Sequence, residues 1–142
     1  MLSRKGMTLV EVVIAMAIFG MIMVAIFPAF IVLNLTNVVS KENVTTNYMA
    51  QDVIETIYNY SQSISDTDLI NTLIASNGFV VDDHSGDVYH LSKADSDYQT
   101  NLTVTFADPE AGFVTVMVVV ESLNETLANQ MSQIETIVSF GG

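Results

Sequence analysis

Residues 12–40 contain no charged side chain, and within that span Val12–Leu33 is a run of 22 small or apolar residues. As a helix the run would be roughly 33 Å long, about the hydrocarbon thickness of a bilayer. A buried core helix in a chain of this size is not expected to be so long or so uniformly apolar. Arg4 and Lys5 precede the run. By the positive-inside rule the N-terminus stays cytoplasmic and the remainder crosses. A cleaved secretory signal is a poor match, because the run exceeds an h-region of about 7–15 residues and no A-x-A-like triplet closes it. A plain single-span anchor accounts for the length but not for Glu11, which directly precedes the run.

The remaining residues suffice for one domain. Sixteen Asp and Glu stand against four Lys and Arg, for a formal charge of −12. The cations are Arg4, Lys5, Lys41 and Lys93. A nucleic-acid surface needs cations to neutralise phosphates, so direct nucleic-acid binding is not expected. With no Cys there is no disulfide, no thiolate nucleophile and no Cys-based zinc site.

Glu11 would enter the interfacial or hydrocarbon region with the apolar run, where an ionised carboxylate is costly unless paired. Arg4 and Lys5 lie seven and six positions upstream, a poor match to helical pairing. The partner is therefore outside this sequence or made by processing.

The segment Arg4-Lys5-Gly6-Met7-Thr8-Leu9-Val10-Glu11, followed at once by a long apolar helix, resembles the processing motif of type IV pilins and pseudopilins. The resemblance implies a leader of residues 1–6. A prepilin peptidase would cut after Gly6 and methylate the new amine on Met7, and Glu11 would be the family's assembly carboxylate. Cutting then supplies the missing cation, the Met7 ammonium. Gly20 and Pro28 stand where many pilins carry helix-weakening residues, and the resemblance implies that the segment between them can lose helical order in filaments. Met7 departs from the more frequent Phe.

Beyond the run, Met49, Val53, Ile57, Tyr60 and Ile64 recur at helical spacing, widened by Ala50, Ile54 and Tyr58. This predicts an amphipathic helix to about residue 64 that continues the apolar one and packs on a domain. Asp66-Thr67-Asp68, then Leu69, Ile70, Leu73 and Ile74, ended by Asn77-Gly78, predicts a short capped helix. Phe79–Val81 and Val88–Leu91 predict a hairpin around a polar turn, Asp82–Asp87. Leu102, Val104 and Phe106 alternate as a half-buried strand. Asp108-Pro109-Glu110-Ala111-Gly112 reads as a turn. Phe113–Val120, apolar on both faces, reads as a central strand. Ser122-x-x-Glu125 resembles a capping box, but a β-branched run follows, and pilin-family domains usually close with a strand. A loop over 122–131 and a strand over 133–140 are expected. The fold class is α+β, a long N-terminal helix on a small antiparallel sheet, divided as leader 1–6, apolar helix 7–35 and head 36–142.

Sites for other chemistry are weak. Asp82, Asp83, His84, Asp87 and His90 cluster, but their spacing matches neither an EF-hand loop nor a zincin helix, and a solvated turn is the simpler reading. No catalytic residue, metal or cofactor is expected. The N-x-[ST] triplets at Asn34, Asn43, Asn101 and Asn124 are read as chance matches.

The resemblance implies a non-enzymatic structural subunit, expected to be a minor pilin of a type IV pilus. Its partners would be other pilin subunits, the prepilin peptidase, the assembly platform and its ATPase, and the membrane before assembly. The alternatives are a pseudopilin of a competence or type II secretion pseudopilus and, in another class, a monomeric membrane-anchored binding protein. The protein would end at the cell surface as a filament. The missing Cys pair departs from many Gram-negative pilins and points to a Gram-positive source.

Overall fold

The computed structural model of the protein describes residues 7–108, 112–124 and 130–140. The chain divides into two compact units, Met1–Val38 and Val39–Gly142. Helix α1 (Leu9–Ser61) contributes to both, and Pro28 lies inside it.

In the first unit every described residue from Met7 to Val38 is exposed. Apolar side chains point in all directions around this part of α1, and among the described residues none covers them. The helix is long and apolar enough to cross a membrane.

The second unit is an antiparallel meander carrying helices on one face. Its strands are β1 (Val80–Ser85), β2 (Val88–Ala94), β3 (Tyr98–Asp108), β4 (Phe113–Ser122) and β5 (Met131–Ser139), lying side by side in chain order. Helix α2 (Asp66–Asn77) precedes them, and Gly78 closes it in the left-handed conformation at φ 72°. Val114, Val116, Val118 and Val120 of β4 alternate as fully buried residues with half-buried neighbours. Leu102 and Val104 on β3, Leu91 on β2 and Val138 on β5 extend that inner face, and Leu69, Ile70 and Leu73 of α2 close over it. At about 25 cal/mol per Å² of apolar surface removed from water, this layer holds the unit together.

The periodic stripe on α1 does pack on this core, but its centre differs from expectation. Thr46, Ala50, Ile57 and Ser61 are buried, while Met49, Val53, Ile54, Tyr60 and Ile64 flank them half-buried. Tyr58 is exposed. Small residues at the centre let the helix approach the sheet closely. The two hydroxyls bury without cost in unmet bonds, because Thr46 Oγ1 donates to the Asn43 carbonyl (3.1 Å) and Ser61 Oγ to the Tyr58 carbonyl (2.7 Å). The α-helix ends at Ser61 rather than near 64, and turn bonds from Ser63 and Ile64 to the Tyr60 carbonyl follow it.

Three strand expectations are revised. Asp82, Asp83 and His84 lie in β1 and not in a turn. The turn is only Gly86-Asp87, with Gly86 at φ 60°. An edge strand exposed along its whole length tolerates such residues, which the polar composition concealed. Strand β4 is internal as expected, but helices cover one face only, and Thr115, Met117 and Val119 on the other stay half-buried. Strand β4 also runs on to Ser122, and β5 begins at Met131, so the expected loop over 122–131 is shorter. Glu125 lies outside the described residues, as do Pro109, Glu110 and Ala111 of the other turn.

Candidate functional site

The first unit begins at a reciprocal pair of hydrogen bonds. Thr8 occupies the N-cap position before Leu9. Its hydroxyl accepts from the Glu11 N–H (3.4 Å), and Glu11 Oε2 accepts from the Thr8 N–H (3.4 Å). The Thr8 carbonyl accepts from the N–H of Glu11 (3.1 Å) and of Val12 (3.3 Å). This is a capping box, T-x-x-E, which satisfies backbone donors that a helix start otherwise leaves unmet. It also sets a carboxylate in the first turn, where the helix dipole favours negative charge.

The sequence reading missed Thr8, although the T-x-x-E spacing before an apolar run is a recognisable signal. Glu11 was the residue without an explanation, and part of its explanation is local. Glu11 is exposed, and among the described residues its Oε1 has no partner. A carboxylate has room for about four acceptor contacts, so capping leaves it free to take a cation.

Met7 directly precedes the cap and is 67 % exposed. Gly6, with Arg4 and Lys5, lies outside the described residues. Gly20 and Pro28 sit within α1, remote in sequence from the cap. A Cβ placed on Gly20 would meet nothing within 4 Å, so no described residue requires glycine there. Pro28 has no N–H, so the Val24 carbonyl loses its usual helical donor.

The second unit carries a polar cluster of its own. Ser122 Oγ donates to Glu42 Oε1 (2.7 Å), and Ser132 Oγ donates to Asn47 Oδ1. The ends of β4 and β5 are thus tied to consecutive turns of α1. The Tyr98 phenol is held above its ordinary value by burial and by the Glu42 carboxylate beside it. Farther along, Tyr60 OH donates to Asn77 Oδ1 (2.8 Å), joining the ends of the two helices. Lys93 Nζ lies 5.9 Å from the centre of the Phe79 ring, at a cleft of about 130 Å³. Among the described residues no group of three His, Cys, Asp or Glu could hold a metal ion. Asp82 is engaged by the Ser92 hydroxyl (2.9 Å), and His90 Nδ1 shares a hydrogen bond with Thr103 Oγ1 (3.1 Å).

Residues 1–27 match the family model of the prokaryotic N-terminal methylation motif, the signal motif of type IV pilins and pseudopilins. The matched stretch contains Gly6, Met7, Thr8, Glu11 and Gly20. No curated protein and no solved structure matches the chain.

Proposed function

We propose that the chain is a non-enzymatic structural subunit, a minor pilin that polymerises into a type IV pilus through its N-terminal helix. One observation carries this reading. The segment from Met7 to Val38 is mostly apolar and exposed at every residue, no described residue covers it, and it starts at a capped carboxylate inside the methylation motif. Before assembly the bilayer covers it. After extraction the same surface packs against the helices of other subunits, and apolar burial supplies the cohesion.

Prepilin peptidase cuts between Gly6 and Met7 and methylates the new amine, which still carries charge. Glu11 of one subunit takes the Met7 ammonium of a neighbour on the carboxylate oxygen that the cap leaves open. A buried ion pair adds little net stability but is costly to break, so it sets axial register. Gly20 and Pro28 weaken the intervening helix, so that it can loosen during packing. Assembly uses a platform protein and its ATPase. The N-terminus stays cytoplasmic until the subunit leaves the membrane for a surface filament, and a Gram-positive source is favoured.

Intact mass spectrometry of protein from its native host tests this. The expected species begins at N-methylated Met7. Losing Arg4 and Lys5 takes the formal charge from −12 to −14, two cations fewer. Gly6→Ala should retain the leader. A native protein that keeps Met1, or is cut near Ala29, overturns the reading. Surface filaments in the native host favour the pilus, and a short structure confined to the envelope favours a pseudopilus.

A further inference from the structure

We infer that the outer edge of β5 is a docking site for an extended, basic segment of a different protein, which adds to the sheet as a sixth strand. The inference stands on the second unit alone and does not depend on how the N-terminal helix assembles.

The two edges of the sheet are unlike. Strand β1 carries Asp82, Asp83 and His84 and an irregularity between Val81 and Asp83, features that discourage a further strand. Strand β5 has fewer of these protections. Its nine residues pair with β4 in constant register from Phe113↔Ser139 to Glu121↔Met131. It contains no proline and no bulge, and its one charge is Glu135. It is the last strand of the sheet, and among the described residues no further strand pairs with it.

The backbone polarity of that edge follows from two hydrogen bonds. The Phe140 N–H donates to the Gly112 carbonyl (2.8 Å), and the Ser122 N–H to the Gln130 carbonyl (3.1 Å). Both belong to one antiparallel register, in which bonded and non-bonded pairs alternate. The even-numbered residues of β5 therefore face β4. Gln133, Glu135 and Ile137 turn their N–H and C=O groups outward, as the backbone of an added strand requires.

Beside this edge runs a groove of about 380 Å³ between β5 and α1. Ile54 and Tyr58 form one wall, and Ile134 and Val138 the other. Every second side chain of an added strand would enter it. Glu55 lies at the groove, and Glu135 sits on the strand itself. The only cations after residue 35 are Lys41 and Lys93, and neither lines the groove. Charge complementarity thus selects a partner strand carrying Lys or Arg. It disfavours a second copy, because symmetric pairing centred on Glu135 would set like charges directly opposite each other.

The test uses the full-length chain in detergent micelles. The probe is a capped peptide matching β5 in length, with valine on one face and lysine or threonine on the other. Its control is a scrambled peptide of the same composition. By NMR, the patterned peptide should slow hydrogen exchange at the amides of Gln133, Glu135 and Ile137, and binding should weaken with salt. Ile137→Pro removes one outward donor while leaving the β4 ladder intact, and should weaken binding about tenfold. Glu55→Lys and Glu135→Lys, which do not touch the backbone, should each weaken binding and flatten its salt dependence. The inference is overturned by equal binding of the scrambled peptide, by unchanged exchange at the three amides, or by indifference to both charge reversals. Protection that grows with protein concentration and no peptide would also overturn it, in favour of a second copy.

Discussion

The backbone N–H of Thr8 reaches the Glu11 carboxylate at 3.4 Å, and the backbone N–H of Glu11 reaches the Thr8 hydroxyl at the same distance. The bonds are mutual, so Glu11 has two separable properties. One is an acceptor oxygen used within its own chain, and the other is a negative charge available to a neighbour.

Glutamine keeps the acceptor and loses the charge, whereas valine loses both. Glu11→Gln should leave the cap, membrane insertion and cutting at Gly6 intact. Filament incorporation should fall, because a neighbour's ammonium would be buried unpaired, a loss of about 3–5 kcal/mol when fully desolvated. Glu11→Asp keeps the charge on a shorter arm and should be intermediate. Immunoblots of sheared filaments read the series. Wild-type incorporation of Glu11→Gln would leave capping as the sole role of this residue.

Thr8→Val replaces the hydroxyl with a methyl group and should cost the helix start about 1 kcal/mol. Amide exchange from Leu9 to Val12, followed by NMR in micelles, should quicken. Thr8→Ser should restore protection. Unchanged exchange in Thr8→Val would mean that the cap contributes nothing in a lipid-like environment.

Residues from Thr36 onward should fold alone as an acidic monomer, since the buried core lies wholly in the second unit. Circular dichroism and light scattering of that fragment check both points. An unfolded or aggregated fragment would show that the apolar segment is needed for the head.

In the same fragment Gly112→Ala should be costlier than Gly86→Ala. Both glycines have positive φ, at 65° and 60°. A Cβ on Gly112 would also lie 2.9 Å from the Phe140 carbonyl oxygen, while one on Gly86 meets nothing within 4 Å. Gly86→Ala should cost about 1 kcal/mol and Gly112→Ala more, up to about 3. Urea denaturation gives the comparison.

Tyr98 has a raised pKa in the fold, from burial first and the Glu42 charge second. The folded state therefore holds this proton more tightly than the unfolded chain. The stabilisation is complete below the ordinary value of 10.0 and is lost as pH rises through the higher folded value. Denaturation midpoints should drop in strongly alkaline solution, and less so in Tyr98→Phe.

The sequence made the helices legible because their signals are local and repeated. The end of α2 at Asn77-Gly78 is one case, where a glycine can take the left-handed conformation that closes a helix. The failures came where polar residues serve structure. Thr46 and Ser61 lie at the centre of the α1 contact because helical carbonyls accept from their hydroxyls, an arrangement that hydrophobic periodicity does not register. The two capping-box patterns diverged for a tertiary reason. Thr8-x-x-Glu11 opens α1, where among the described residues no other side chain engages either member. Ser122 ends β4, where its hydroxyl is engaged by Glu42, 80 positions away. The carboxylates and imidazole of β1 looked like a turn because an edge strand needs no buried face.

The strands lie side by side in the order in which they are synthesised. Each needs only its immediate predecessor, so the loops to be closed are short and the contact order of the sheet is low. On the proposed topology, with the N-terminus held in the cytoplasm and α1 already lodged as the anchor, the head can therefore fold strand by strand as it emerges. Each arriving strand would then find its mate already in place, and every completed hairpin would oppose backsliding. Strand β5 arrives last. Until it docks, Val114 to Val120 lack their outer neighbour, and the wall that Ile134 and Val138 supply beside α1 does not exist.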